Sequence, residues 1–327
     1  MITHIRCSDM DKQLAVDTQP VFTFRLTAGE ALKMKAVVYK EENIDIPLWE
    51  SNWLDTEYYR ILCDAKLKPR TSYLYQIIVK YSDNSIEKSK LNRFETGLFG
   101  KAKWIGAEAP IIARKFKSNS VKKARLYVSA CGIAEIYLNG KRTDYRVYSP
   151  VCSDYHKRDN MRLKYPLNDV FSYSHYYICD DVTSFIVPGE NVLAVWLGNG
   201  WYNQTVRKNE GNMEYGKPRV KLSLYMEFED GTTSELHSDE LFFSYESPIK
   251  ENQFFVGEVY DGRVDLLPLL LLQKIGSPVT VYPEFESVLR PQHCPPDRVI
   301  RAITPKLLYC QNNYSVYDVK TFPAEYV

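Results

Sequence analysis

The sequence predicts an all-β chain built as β-sandwiches in tandem, on three observations. Aromatic residues are dense: 25 Tyr, 14 Phe and 5 Trp make up 13% of 327 residues, against 15 Gly, and ring and β-branched side chains suit the pleated, half-buried surface of strands. Period-two alternation is clear where Val220, Leu222, Leu224, Met226 and Phe228 share one face and Lys221, Ser223, Tyr225 and Glu227 the other. Long amphipathic stretches with helical spacing and caps are scarce. At ~150 residues per domain the length holds about two domains, and short turns such as Asp230-Gly231 join the strands as hairpins.

In chain order, strands are expected first at Val21 to Thr27, Leu32 to Tyr39, Tyr58 to Cys63, Ser72 to Tyr81 and Ile86 to Glu95. That count and spacing suit a fibronectin III/Ig-like sandwich over residues 1–98, with Trp49 and Trp53 at its core or edge. Leu98 to Lys103 reads as a junction. A second sandwich is expected over residues 101–265, with strands at Ala113 to Lys117, Lys123 to Ala130, Ala134 to Leu138, Val192 to Leu197 and the Val220 to Phe228 hairpin. Trp196 is expected in its core, and Met161 to His175 reads as an inserted loop. Past Asp265 a leucine run and a proline-rich segment from Arg290 to Arg298 change the character of the chain. Residues 266–327 are marginal as an independent domain, so they are expected either to pack on the second sandwich or to open a truncated unit, as a partial third β-domain or an extended tail.

Composition narrows the function. With 45% hydrophobic and 25% charged residues the chain is an ordinary globular protein. Lys and Arg total 42 against 41 Asp and Glu, a net charge of +1, so no broad field draws nucleic acid or an anionic membrane. The Leu266 to Leu272 run, broken by Pro268, is far short of the ~20 apolar residues that span a bilayer. The start lacks the basic segment and apolar core of a secretory signal, so a cytoplasmic protein is expected. Seven dispersed cysteines without CxxC spacing read as reduced packing groups. No GxSxG, HExxH, Walker loop or dinucleotide fingerprint is present, and the five histidines are scattered. No catalytic residue is assigned, because 41 acids form close pairs by chance.

Two turn motifs stand out. Tyr137-Leu138-Asn139-Gly140-Lys141-Arg142 ends a strand in an Asn-Gly turn, and Leu197-Gly198-Asn199-Gly200-Trp201-Tyr202 ends another with two aromatics. Such turns set amides beside ring faces, which suits sugars, whose hydroxyls need directional partners and whose C–H faces stack on rings. The candidate carbohydrate-binding residues are Asn139, Asp154, Tyr155, Asn199, Trp201, Tyr202, Tyr260 and Asp261. Asn139 and Asn199 are also candidate oxygen ligands for calcium, a possible cofactor needing further carbonyls from Gly200 to Gln204. The competing assignments are plain: turn residues for the two Asn, core caps for Trp201 and Tyr202, and a backbone-bonded turn for Asp261.

These motifs, taken in order, resemble the bacterial α-L-rhamnosidase family. The resemblance runs through Leu48-Trp49-Glu50-Ser51, Leu67-Lys68-Pro69-Arg70-Thr71-Ser72-Tyr73, Phe94-Glu95-Thr96-Gly97, Lys103-Trp104-Ile105-Gly106 and the Lys122 to Arg142 stretch. It continues through Asp181-Val182-Thr183, Pro188-Gly189-Glu190-Asn191-Val192, the GNGWY run and Gly257-Glu258-Val259-Tyr260-Asp261. It implies that the second sandwich is the family's jelly-roll-like carbohydrate-binding module, related to calcium-dependent rhamnose binders. It further implies that catalysis belongs to a downstream helical toroid acting by inversion. The departure is Leu138, which stands where the calcium-binding relatives carry an acid. The expectation is therefore a non-catalytic piece that binds L-rhamnose-containing glycan or serves as scaffold. The alternatives are a fragment that works with a separate catalytic domain and a degenerate remnant.

Overall fold

The Ser72–Tyr81 strand carries Tyr73, Tyr75, Ile77 and Val79 on one buried face and is the spine of the first sandwich. The computed structural model describes residues 1–8, 14–56, 59–155, 174–205, 213–292, 294–312 and 314–319. The spine pairs antiparallel with Ala31–Lys40 on one side and with Ile86–Lys88 and Asn92–Glu95 on the other. Asn43–Glu50 and Leu54–Asp55 flank Ala31–Lys40. The facing sheet holds Ile2–Cys7, Val21–Leu26 and Arg60–Leu62. Rings fill the space between, with Phe22 stacked on Tyr75 at 4.4 Å and edge-on to Phe94 at 5.8 Å. The sequence predicts one strand from Ile86 to Glu95, and the structure has two. At Ser89 the side-chain Oγ takes the Ile77 N–H at 3.0 Å, replacing a ladder carbonyl and breaking the strand there. Trp49 packs on the core edge and donates to Asp64 at 2.6 Å, whereas Trp53 is exposed beneath the Lys35 ammonium.

The second sandwich stacks a seven-stranded sheet on a six-stranded one. Val121–Cys131 is central in the first, between Arg219–Phe228 and Ser174–Asp181. Trp104–Gly106, Thr280–Tyr282 and Thr233–His237 extend it beyond Arg219–Phe228, and Val288–Pro291 joins Ser174–Asp181 in parallel. In the second sheet Gly189–Gly198 lies between Ile111–Ser118 and Ile133–Leu138, followed outward by Lys141–Arg142, Phe243–Tyr245 and Ser277–Pro278. Leu126, Val128, Ile136, Leu193, Val195, Leu222 and Leu224 close the core between them. Trp196 points the other way. Its strand alternates Leu193, Val195 and Leu197 inward, so Trp196 joins Ile111, Ala113 and Ala194 on the outer face and donates to Ser247 Oγ at 3.1 Å. The leucine run forms a short helix, Leu267–Leu270, whose Leu269 and Leu270 are buried on that face.

Residues 277–298 add strands to both sheets of the second sandwich and pair Asp297–Arg298 with Arg146–Val147. Lys306–Gln311 and Tyr314–Asp318 form a hairpin that pairs with itself alone and is exposed along most of its length. The Met161 to His175 loop expected from sequence lies outside the described residues as far as 173, and His175 belongs to the Ser174–Asp181 strand. All seven cysteines are free. Among the described residues no helix is long and apolar enough to cross a membrane.

A buried seam joins the sandwiches. Glu95, at the end of a first-sandwich strand, receives Arg125 in a two-pronged pair with both N···O distances 3.1 Å, and Lys123 at 3.1 Å. Arg125 also reaches Asp181 at 2.9 Å. The Glu95 and Arg125 side chains are 3% and 7% exposed, which puts them in the class where an orphaned partner is costly. Beside them Ala15, Phe99, Tyr127 and Tyr177 form an apolar strip. Arg70 lies over Tyr225 at 4.6 Å and pairs with Glu235 across the same seam. Glu95→Ala is expected to cost about 3–5 kcal/mol, because it strands two cations against apolar surface. Urea denaturation of wild type and variant measures it, and a loss under ~1 kcal/mol would show that the seam does not hold the sandwiches together.

Candidate functional site

The two Asn-Gly motifs fold as turns, and their side chains are spent internally. Asn139 sits at φ 53° in the turn between Ile133–Leu138 and Lys141–Arg142. Its Nδ2 donates to Phe185 O at 3.0 Å and Asn191 Oδ1 at 2.9 Å, and its Oδ1 accepts from Val192 N–H at 2.8 Å. Asn199 donates from its backbone N–H to Asn252 Oδ1 and from Nδ2 to Asn252 O, both at 2.7 Å, while its Oδ1 accepts from Asn203 at 3.1 Å. Strand register separates the pair. Asn139 lies beside Val192, and Asn199 follows Gly198 at the far end of the same strand, about 20 Å away at ~3.3 Å per residue. They cannot share one calcium ion, and their oxygens are already used as hydrogen-bond acceptors. Among the described residues no three His, Cys, Asp or Glu side chains converge as a metal cage. The chain does not fit the calcium expectation at these positions. The glycines of the second motif serve packing: a Cβ on Gly198 would meet Ile133 Cγ1 at 2.8 Å, and one on Gly200, which sits at φ 50°, would meet the Gly132 backbone at 3.0 Å.

The Gly200 to Gln204 loop sends its two aromatics in opposite directions. Trp201 is 43% exposed and lies against Phe254 at 4.6 Å, with Phe255 at 5.8 Å edge-on. Tyr148, 59% exposed, meets Phe254 edge-on at 5.5 Å. These rings form a shelf, held by Gln204, which accepts from Phe254 N–H at 3.0 Å and donates to Gly200 O at 2.5 Å. Sequence reading found Trp201 but missed Phe254, Phe255 and Tyr148. The Phe254-Phe255 pair sits at a hairpin tip between Ile249–Gln253 and Gly257–Tyr260, and only the fold brings it to Trp201. Tyr202 and Tyr155 are buried against each other at 4.8 Å and offer no open face. Asp154 lies next to Ser174, whose N–H points to its carboxylate at 3.4 Å. Tyr260 is exposed on the hairpin, and Asp261 closes a turn by accepting from Arg263 N–H, Nε and Nη2.

Beneath the loop, one end of the seven-stranded sheet's outer face is a layer of rings: Trp104, Tyr155, Tyr202, Tyr215, Tyr282 and Phe285. The cation among them is Arg219, whose guanidinium carbon is 4.0 Å from the Tyr282 ring centre, 5.4 Å from Phe285 and 5.7 Å from Tyr202. Its buried Nε–H has no hydrogen-bond partner. Each ring contact is worth roughly 0.5–2 kcal/mol, which offsets part of that burial. Neighbouring Lys221, in contrast, has its carboxylate partner, Glu284, at 2.7 Å. His175 stacks on Phe285 at 4.3 Å and shares a 2.5 Å hydrogen bond between Nδ1 and Ser287 Oγ.

A second cluster contains facing carboxyls without a site for sugar. Arg146 pairs with both Asp144 and Asp180, and the two carboxyls lie within hydrogen-bonding reach of each other. Burial, reinforced by Asp144 against the pull of Arg146, raises the Asp180 carboxyl above its usual range. Glycosidases need about 5–9.5 Å between their carboxyls to admit a sugar and, for inversion, a water. Here the two carboxyls lie within hydrogen-bonding reach and share one guanidinium, leaving no room for a sugar, so the cluster is structural.

Burial, then Arg219 and Lys221, lower the His175 ring from 6.5 to about 4. The folded state keeps it neutral, so its stabilising contribution is full above pH 6.5 and is lost as pH falls toward 4. Asp180, raised in the folded state, acts in the opposite sense across the acid range, so the total slope is flattened. The difference between wild type and His175→Phe isolates the ring. Between pH 7 and 4.5 wild type is expected to lose roughly 2–3 kcal/mol more than the variant. Parallel denaturation results at the two pH values would show that the ring is not held neutral.

The chain is 28% identical over 253 residues to an alpha-L-rhamnosidase of Formosa agariphila, covering 75% of this chain and 24% of that protein. It is 31% identical over 170 residues to one of Streptomyces avermitilis, covering 51% of this chain and 15% of that protein. The solved alpha-L-rhamnosidase of Dictyoglumus thermophilum superposes with a TM-score of 0.79 at 25% identity, over 97% of this chain and 38% of that one. The chain thus spans about a quarter or less of these two curated relatives. The profile of the alpha-L-rhamnosidase N-terminal domain matches residues 119–301, more than half of the sequence and nearly all of the second sandwich. The chain belongs to the alpha-L-rhamnosidase N-terminal domain family.

Proposed function

We propose that the chain is a non-catalytic carbohydrate-contacting module of an α-L-rhamnosidase-like glycoside hydrolase, with the Trp201–Phe254–Tyr148 shelf as its contact surface. The observation that carries the proposal is the solvent-facing Trp201 ring held in place by Phe254. Exposed rings of fixed orientation stack on the C–H faces of sugars and are uncommon on a surface with no partner. L-rhamnose is the sugar of choice because the relatives are alpha-L-rhamnosidases. Calcium has no part in this assignment, since the Asn139 and Asn199 oxygens are engaged elsewhere.

Isothermal titration of the 327-residue chain with L-rhamnose is expected to give weak binding, with a dissociation constant on the order of 1 mM or about 4 kcal/mol. Added calcium should leave it unchanged, and Trp201→Ala should weaken it at least fivefold. No heat at tens of millimolar sugar would remove the binding assignment.

Hydrolysis is assigned to chain that the longer relatives carry and this one does not match. The purified chain is expected to release no p-nitrophenol from p-nitrophenyl α-L-rhamnoside. Turnover that persists in a chromatographically pure sample would place a catalytic pair within these residues.

A further inference from the structure

The geometry points to a second ligand site beside the shelf, where Arg219 and its enclosing rings take the carboxylate of an acidic sugar, a uronate residue. The inference goes beyond the shelf assignment and does not depend on it. Arg219 opens the Arg219–Phe228 strand and projects from the outer face of the seven-stranded sheet, opposite Gly106 and Cys131 in register. Three rings surround its guanidinium, with Tyr282 nearest at 4.0 Å. The Tyr202 hydroxyl is its polar neighbour, and its buried Nε–H is unpartnered.

Lys221 takes Glu284, and among the described residues no carboxylate pairs with Arg219. The residue is half-buried rather than sealed. A Cβ on Gly216 would lie 3.5 Å from both Arg219 Nη2 and Tyr202 Oη, so this neighbouring position itself brings no side chain over the fork. Gly106, across the register, likewise adds no side chain against Tyr282.

The chemistry of the missing partner follows. A planar guanidinium presents parallel N–H donors that match a carboxylate in two-pronged fashion. Of the rings around the fork, Tyr202 is sealed, and the half-buried Tyr282 and Phe285 add the apolar faces suited to the C–H surface of a pyranose. Together they select a group that is both anionic and ring-shaped, which a neutral deoxysugar is not.

The test titrates the full chain with methyl β-D-glucuronide, methyl β-D-glucoside and sodium acetate at low ionic strength. The glucuronide is expected to bind at least tenfold more tightly than either of the others, and raising salt to 0.5 M should weaken it several-fold. Arg219→Gln should abolish measurable glucuronide binding. Arg219→Lys keeps the charge without the fork and should weaken it five- to twentyfold, which guards against misfolding of the first variant. Equal affinity for glucuronide and glucoside would overturn the role of charge. Equal affinity for glucuronide and acetate would overturn the sugar class, and unchanged binding in both variants would overturn the site. A parallel L-rhamnose titration reports the shelf, so failure there leaves the glucuronide result standing alone.

Discussion

The pair between Glu95 and Arg125 is the constraint on which the rest of the architecture depends. Each side chain is nearly sealed from solvent, and each comes from a different sandwich, so neither can be left alone without a buried charge. Asp181 and Lys123 complete a four-membered network, with both N···O contacts to Glu95 at 3.1 Å from Arg125 and one from Lys123 at 3.1 Å. Apolar contacts of Ala15, Phe99, Tyr127 and Tyr177 could slide. A two-pronged pair fixes orientation as well as contact, and it sets which end of the seven-stranded sheet the first sandwich covers.

That sheet needs covering along its whole outer face. Val121–Cys131 is buried on both sides: Leu126, Val128 and Ala130 enter the core, and Tyr127, Ser129 and Cys131 face outward yet are equally sealed. A strand apolar on both faces requires a layer on each. The first sandwich covers the Tyr127 end through the seam. At the Cys131 end the layer is made of rings from loops, Tyr155, Tyr202, Tyr215 and Phe285, over Trp104 and Tyr282. Part of the density of tyrosine in the sequence has this origin. Many of these rings are the roof of one sheet rather than sugar platforms, and their hydroxyls permit the roof to end at solvent.

Strand positions were largely legible because alternation is a local property. Ser72–Tyr81 and Val220–Phe228 follow from side-chain periodicity alone. Asn43–Glu50 also alternates, at Ile44, Ile46 and Leu48, but Pro47 within it argues against a strand, and the structure accommodates it at an exposed edge. The site was much less legible. Asn199-Gly200-Trp201-Tyr202 identified a special loop, but the sequence does not say which ring turns outward. Trp201 does so because Tyr202 bonds back from its N–H to Asn199 O at 3.1 Å, closing a turn that reverses the chain between the two rings. Nor could adjacency of Phe254, some fifty positions away, be read from spacing. Asn139 misled in an instructive way: an Asn-Gly turn beside an aromatic suits a ligand, but the same amide suits the loop it staples, and the loop is covalently present.

The adjacency of Trp201 and Tyr202 also explains how a surface ring can be held in place. Tyr202 is held in the roof by Tyr155 at 4.8 Å and Tyr215 at 5.9 Å, so its backbone cannot move without opening the ring layer. Gln204 ties the same loop to Gly200 and to the Phe254 hairpin. Asn199 closes the other side through two 2.7 Å bonds to Asn252. Trp201 is thus fixed from below, from ahead and from behind, and pre-organisation of this kind spares the ordering cost that a mobile ring would incur on meeting a flat sugar face. Amide hydrogen bonds and buried tyrosines present Trp201 as a defined surface.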